Sequence, residues 1–503
     1  MTAILDVGIS HDNVDISHDK KRIIFGGNAL KILKRHLVVS DNVRLRKVRV
    51  MNEGEIEDLL RWDAEHIIHS VFPVGQTAGL LVDSADGIVF RDAYGKEYID
   101  GSSQLTCVNL GYGQQEIVAA AMEQMQRLQY NTTFYGHSNR SSIECGKRLA
   151  ELTPPGLDHF AFTSGGSEST EVAYRIARIY WSNKGAAQRY KIIGLYDSYH
   201  GIGLGSVSAD GLGRGFFNRG TGPLAPGFLH IPSYSCYHCM FGLNYPECNI
   251  RCARFLEETI LREGPDSVAA FIAEPEQGTV GCVPPPPEFW PLVREICTKY
   301  DVLLIADEVM TGFGRTGKMF GVQNWDVIPD IMTMAKGITS AYLPFGAVAV
   351  NDKIHDGLRG TMFASYTYSG HPVCAAAAVK TLEIYVRDNI VENVAKVGKY
   401  AMERLNEEFL PLPCVGNIGG LGLFIGVEIV ADKETRKPFD PDLNVVPNVL
   451  KRALEAGLFM RASNSRIAPG ERLNFCPPLT ITKEQVDRIL DILHPIVADI
   501  RPV

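Results

Sequence analysis

A chain of 503 residues, 45% hydrophobic and 21% charged, has the make-up of a globular protein with a large core. Its net charge of −8 gives no general reason to expect nucleic acid or an anionic membrane as a partner, and no uninterrupted apolar run reaches the ~18 residues of a membrane span. Eleven cysteines, behind an N-terminus that lacks the apolar core of a secretory signal, fit free thiols in a reducing compartment, so a cytoplasmic location is expected.

In chain order, residues 1–50 read as an N-terminal extension. Lys20, Lys21, Arg22, Lys31, Lys34, Arg35 and the basic residues from Arg44 to Arg49 make it cationic. A single aromatic residue, Phe25, lies among the charges, too few for a row of stacking platforms, so a solvated arm is expected rather than a nucleic-acid-binding one. Residues 51–104 are expected to open a smaller α+β domain that residues 375–503 complete, so that both chain ends build it. Between them, residues 105–374 carry the βα alternation of a large, mostly parallel sheet.

Within that large domain the candidate strands are His159–Thr163, Lys191–Leu195, Val268–Ala273, Val302–Ala306, Ile331–Met334 and Ala347–Val350. Ser164-Gly165-Gly166-Ser167, Tyr199-His200, Glu274, Asp307 and Lys336 each fall just past a strand's carboxyl end. In open α/β sheets that rim is where ligands bind, so one site can collect them all. Farther on, helices are expected at Ala375–Tyr385, around Val391–Phe409 and at Lys483–Val497, with a strand at Leu423–Ile429.

These residue types match the needs of a cofactor that serves as an electron sink: an exchangeable amine, a carboxylate for a ring nitrogen, an anion site and a flat ring partner. Asp307 closes the apolar run VLLIAD. Lys336 follows DIMTMA, where an ammonium must be paired, depressed in pKa or covalently consumed. A glycine-serine turn opens the helical pattern after Thr163 and presents free N–H groups to a phosphate. Tyr199 is placed to stack on a planar ring. Each residue also has an ordinary reading: Asp307 as a turn cap, Lys336 as a snorkelling side chain, the glycine turn as a plain helix start.

Two further patterns invite other functions. Gly312-Phe313-Gly314-Arg315-Thr316-Gly317-Lys318 fits GxGxxG and nearly fits a phosphate loop, but Met319 stands where a magnesium-binding hydroxyl is required and no clear helix follows. Cys236-x2-Cys239-x8-Cys248-x3-Cys252, with His238 inside, has the density of a structural zinc site, or is a loop of free thiols.

The segment Leu304-Ile305-Ala306-Asp307-Glu308-Val309-x-Thr311-Gly312-Phe313-Gly314-Arg315-Thr316-Gly317, then Pro329-Asp330-Ile331 and Ala335-Lys336-Gly337, resembles the signature of the class III aminotransferases. The resemblance spans about residues 60 to 495. It implies an α/β protein of the pyridoxal-phosphate-dependent fold type I, with pyridoxal 5′-phosphate as cofactor and no catalytic metal. By position, Lys336 corresponds to the lysine that holds the cofactor as an imine, Asp307 to the partner of its ring nitrogen, and Tyr199 and Val309 to the two ring faces. Gly165, Gly166, Ser167, His200, Glu274, Tyr366 and Thr367 fall at further cofactor-binding positions. Gly165 stands where relatives commonly carry serine, and Thr367 resembles the threonine that reaches the phosphate across a dimer interface, which implies a homodimer or a dimer of dimers. Glu276 occupies a place that is usually apolar.

Among branches of that family, the chain looks like those that transfer an amino group from an ω-amino acid or primary amine to an oxo acid such as pyruvate, by a ping-pong route. Arg461, Thr106 and Phe134 are the implied substrate-binding residues, Arg461 as the clamp on the oxo-acid carboxylate, with Arg466 and Arg472 as rivals. Thr106 replaces a frequent tryptophan. An aminomutase, racemase or decarboxylase using the same lysine is the alternative, and a metal-stapled or nucleic-acid-binding module built on the cysteines and basic arm is a third reading.

Overall fold

A computed structural model describes residues 14–15, 24–25, 51–211, 222–465 and 470–501. The N-terminal arm, apart from two short paired strands, and Arg466 lie outside the described residues. The chain divides into two compact units, residues 1–81 and 82–503.

In the first unit, β1 (Val14–Asp15) pairs antiparallel with β2 (Ile24–Phe25). A helix, Glu53–His66, follows from a capping box: the Asn52 side chain accepts the Glu55 N–H, and the Glu55 carboxylate accepts the Asn52 N–H. Two of the helix's unsatisfied donors are thereby met, a device that contributes about 1 kcal/mol.

The second unit opens with β3 (Val82–Asp86), β4 (Val89–Asp92) and β5 (Glu97–Asp100), and continues through β6 (His159–Thr163), β7 (Lys191–Leu195), β8 (Phe228–Ile231), β9 (Val268–Ala273), β10 (Leu303–Asp307), β11 (Ile331–Met334) and β12 (Gly346–Val350). It ends with β13 (Val415–Leu421), β14 (Phe424–Ile429), β15 (Leu458–Phe459), β16 (Arg461–Ser465) and β17 (Gly470–Phe475). Strands β6 to β12 form one seven-stranded sheet in the order β6-β12-β11-β10-β9-β7-β8. From β8 to β11 the pairs are parallel, and β12 runs antiparallel to both neighbours.

Side chains alternate between two apolar layers. Ile192, Ala270, Ile272, Leu303, Ile305 and Val348 pack with the helix Gly166–Asn183 on one face, while Ile193, Phe271, Leu304, Ala306, Met332 and Ala347 join the larger core on the other. Both faces are covered, as parallel sheets require, and this is why these strands read as unbroken apolar runs.

Two four-stranded sheets complete the unit. One is β13-β14-β17-β16; the other is β15-β5-β4-β3, in which the two-residue strand β15 lies parallel to β5 with Leu458 opposite Ile99. The helix expected at Ala375–Tyr385 runs Pro372–Arg387, and that expected through Phe409 ends at Arg404 before a π-helical turn, Leu405–Phe409. The last helix is Lys483–Ala498. No described helix is long and apolar enough to cross a membrane.

Strand ends shift in three places, one of them the strand expected at Leu423–Ile429, which begins at Phe424. The strand expected at Val302–Ala306 is Leu303–Asp307, because the Val302 N–H turns back to the Cys297 carbonyl while Asp307 pairs with Thr333. Gly346 is added to the expected Ala347–Val350 by pairing with Thr163. The edge strand β8 has no counterpart in the sequence reading: four residues with His230 among them leave too short an apolar run.

Candidate active site

The register of the sheet builds the centre of the site. Asp307, the last residue of β10, lies beside Thr333 of β11, and Lys336 follows three residues later. The Thr333 hydroxyl donates to Asp307 Oδ1 at 2.9 Å, and the Val309 N–H donates to the same oxygen at 3.1 Å. The other oxygen, Oδ2, is 2.6 Å from His200 Nδ1. Burial opposes charge on His200, but the hydrogen bond and charge of Asp307 outweigh it and raise the imidazole pKa. A buried ion pair thus holds the acid in one orientation. His200 Nε2 is buried with no hydrogen-bond partner among the described residues.

Lys336 adopts a left-handed backbone, φ 46°, a conformation that costs a non-glycine residue about 1–2 kcal/mol and collects at functional sites. Burial lowers its pKa. The charges of Cys107 and Asp307 work against that shift, Arg461 reinforces it, and Glu274 opposes it. The lysine therefore sits within electrostatic reach of the acid, of Arg461 and of a thiol that sequence reasoning missed. Cys107 carries no motif, and only the fold of the Ser103–Thr106 turn brings it there.

Glu274 arranges the neighbouring loops. Its Oε1 accepts the Tyr199 N–H at 3.0 Å and its Oε2 the Gly278 N–H at 2.8 Å. Burial pushes its carboxyl up to about 7; His200 works to lower it and Asp307 to raise it. The helix Gly166–Asn183 starts at Gly165 with no side-chain cap, leaving its first amides free for an anion. A Cβ on Gly166 would lie 2.8 Å from Val309 Cγ1, so the glycine turn and the valine are in direct packing. Ser167 Oγ accepts the Ile202 N–H at 3.3 Å, which draws the Tyr199–His200 loop to the same turn.

The remaining expected residues differ in setting. Thr367 is exposed, its carbonyl accepting the Tyr130 hydroxyl at 2.9 Å. Phe134 lines a surface cavity of about 770 Å³ with Ser365, Ser369 and Gly370, and neither Asp307 nor Lys336 borders that cavity. Tyr366 is half-buried. Thr106 is buried with φ 57°.

The arginine rivals separate clearly. Arg472 is buried, with Nη2 3.0 Å from Glu428 Oε2 and Nη1 donating to the Val280 carbonyl at 2.9 Å. It is consumed by the fold, whereas the charge of Arg461 reaches Lys336. Arg315, inside the false phosphate loop, is buried as well: its guanidinium donates to the carbonyls of Leu423 and Pro477 and to the side chains of Ser103 and Asn109. The turn Gly321–Asn324 that follows is a 3-10 turn and not a helix, so that loop is a strut.

Two buried carboxyls next to this region do different things. Glu276 is fully buried, and burial, with the Cys476 charge, raises its pKa well up; the Leu421 N–H is nearby, but neither carboxyl oxygen closes a hydrogen bond. Glu308, pushed up to about 7 by burial, accepts from the Thr311 hydroxyl at 2.5 Å and from the Gly321 and Val322 N–H groups at 2.8 Å each. A backbone N–H faces each carboxyl oxygen, so the NH2 of a glutamine meets a donor in either orientation. Glu308→Gln is expected to lose about 1–3 kcal/mol of stability in denaturant titrations; an unchanged unfolding midpoint would show that the carboxylate is not what these donors need.

A buried acid paired to a histidine, a lysine beside it at the strand ends and an uncapped glycine-led helix start define a pyridoxal-phosphate enzyme of fold type I, and the orphaned His200 Nε2 and free helix amides are compatible with that cofactor. The chain belongs to the class III aminotransferases, whose family pattern matches residues 72–497. It is similar to a diaminobutyrate–2-oxoglutarate transaminase of Halomonas elongata, 38% identical over 86% of this chain and 94% of the relative. A putrescine–pyruvate aminotransferase of Pseudomonas aeruginosa is 38% identical over 82% and 89% of the two chains. Among solved structures, an (S)-enantioselective ω-transaminase of Thermomicrobium roseum superposes with a TM-score of 0.83 at 39% identity, covering 90% of this chain and 99% of the other.

Proposed function

We propose that the chain transfers an amino group from an ω-amino acid or primary amine to an oxo acid, pyruvate in the first instance, by a ping-pong route. The observation that carries this reading is the placement of Asp307 and Arg461 about Lys336: an acid and a cation each within electrostatic reach of an amine of lowered pKa. The relatives include a putrescine–pyruvate enzyme, which supports both the amine and the acceptor.

When bound, pyridoxal phosphate supplies an aldehyde that exchanges amines and a ring that accepts electrons from the donor carbon. The chain's residues do the rest. The amides at Gly165, Gly166 and Ser167 would hold its phosphate, and Val309 and Tyr199 would pack on its ring. Asp307, held by His200 and Thr333, would keep a proton on the ring nitrogen. Lys336 Nζ, its pKa lowered by burial, would take the proton from the amine-bearing carbon and return it. Arg461 grips the acceptor's carboxylate through a planar, two-point contact.

A screen of donors with pyruvate, reading alanine formation, tests the proposal. Alanine formed with ω-amines and primary amines supports it; conversion of the donor to its isomer, its enantiomer or its decarboxylated amine with no alanine formed favours the aminomutase, racemase or decarboxylase chemistries. Arg461→Ala is expected to slow the oxo-acid half-reaction on the order of 10²-fold, the equivalent of a lost charge-assisted pair, and to spare the half-reaction of an amine without a carboxylate. Equal slowing of both halves, in single-turnover absorbance, would remove Arg461 from the clamp role.

Thr367 and Phe134 take part, in this reading, through a second copy of the chain. The exposed Tyr135, Met362 and Tyr368 near them are apolar surface that a homodimer would cover. A reducing compartment such as the cytoplasm suits the eleven unpaired cysteines.

A further inference from the structure

The loop between β8 and the helix Arg251–Glu263 carries three cysteines and the first turn of that helix a fourth, all left unused by amino transfer, at the spacing Cys236-x2-Cys239-x8-Cys248-x3-Cys252. All four line one cavity of about 20 Å³, room for a single ion or water. The charge of Cys236 interacts with those of Cys239 and Cys248, and that of Cys252 with Cys236 and Cys248, so Cys236 is within electrostatic reach of the other three. None is in a disulfide. No carboxylate borders the cavity, and Arg251 lies in its wall.

The sulfurs surround this space without touching: the metal-capable atoms of the described residues already within 4.8 Å of one another are those of Asp158, His159 and Asp352. That trio is an exposed histidine–carboxylate pair of ordinary kind, 2.9 Å between His159 and Asp352, and carries nothing further. The thiols are different in chemistry and setting. Sulfur-only sets favour zinc in tetrahedral sites, where Zn–S distances of about 2.3 Å place the sulfurs ~3.8 Å apart, so a bound ion would draw these side chains inward.

The loop also has a task that needs rigidity. Its His238 Nε2 is 2.6 Å from the fully buried Glu428 Oε1, which pairs on its other side with Arg472, and the Tyr237 carbonyl accepts Arg436 Nη1 at 2.7 Å. Between β8 and the helix the described residues form turns and no strand or helix, so side chains must fix the loop.

We propose that Cys236, Cys239, Cys248 and Cys252 bind one zinc ion per chain as four thiolates, stapling this loop so that His238 stays docked on Glu428. Binding releases four protons to solvent and changes no oxidation state. The resulting charge of −2 lies beside Arg251, which also pairs with Glu258.

Metal analysis of the full-length enzyme tests this. Near one zinc per chain is expected in the wild type and near none in Cys239→Ser/Cys252→Ser. Stripping the wild-type enzyme with a chelator is expected to expose four more thiols to an aromatic disulfide reagent and to lower the unfolding midpoint, with zinc chloride reversing both. Should the double variant fail to fold, the stripped wild type loaded with cobalt(II) gives the thiolate-to-cobalt charge-transfer band of a tetrahedral sulfur site. Zinc retained by the double variant, iron in its place, or a wild-type chain that takes up neither zinc nor cobalt overturns the proposal. The absorbance of lysine-bound cofactor, read on the same samples, reports on amino-transfer chemistry separately.

Discussion

Lys336→Ala is expected to abolish the long-wavelength absorbance of lysine-bound cofactor and to cut steady-state turnover at least ~10⁴-fold, while leaving the thermal unfolding midpoint unchanged or raised. Loss of activity follows from removing both the tether and the proton carrier. Retention of stability follows from the site: an ammonium held at lowered pKa by burial destabilises the fold that encloses it, and alanine removes that burden. A variant that unfolds, or that keeps the absorbance, would assign the lysine a structural role.

Asp307→Asn is expected to separate chemistry from attachment. The amide still accepts from Thr333 and Val309, but the charge that raises the His200 pKa is gone, and so is the anion needed opposite a protonated ring nitrogen. Turnover should fall on the order of 10³-fold, the scale for losing one aimed electrostatic contact. Stability should fall by only about 1–3 kcal/mol, from the weakened His200 pair. The lysine-bound absorbance should persist, in contrast to Lys336→Ala. If the two variants behaved alike, Asp307 would be acting on cofactor retention and not on the chemical step.

What could be read from the chain depended on how local its cause was. The runs ending in Asp307 and Lys336 are apolar because both sheet faces are covered, so their strands and strand ends were legible to within one residue. The turn Gly165–Ser167 was legible because a helix that starts on glycine leaves its amides open. Cys107 was not, since its place beside Lys336 is set by packing between segments over 200 residues apart. The burial of Arg472 against Glu428 likewise depends on a sheet register that no spacing reveals, and it is this burial that separates Arg472 from Arg461. Glu276 was noticed as out of place, and it is indeed enclosed without a hydrogen bond, for which the surrounding residues offer no account.

The pairing of β15 with β5 sets an order of events during synthesis. The first three strands of that sheet leave the ribosome with the opening hundred residues, yet their parallel neighbour, and the Arg461 N–H that bonds Ser102 across a separation of 359 residues, arrive almost last. The nascent chain must keep an unfinished sheet edge waiting through most of translation, which makes the first unpaired strand a natural point for chaperone protection and the final forty-odd residues the latch of the whole molecule.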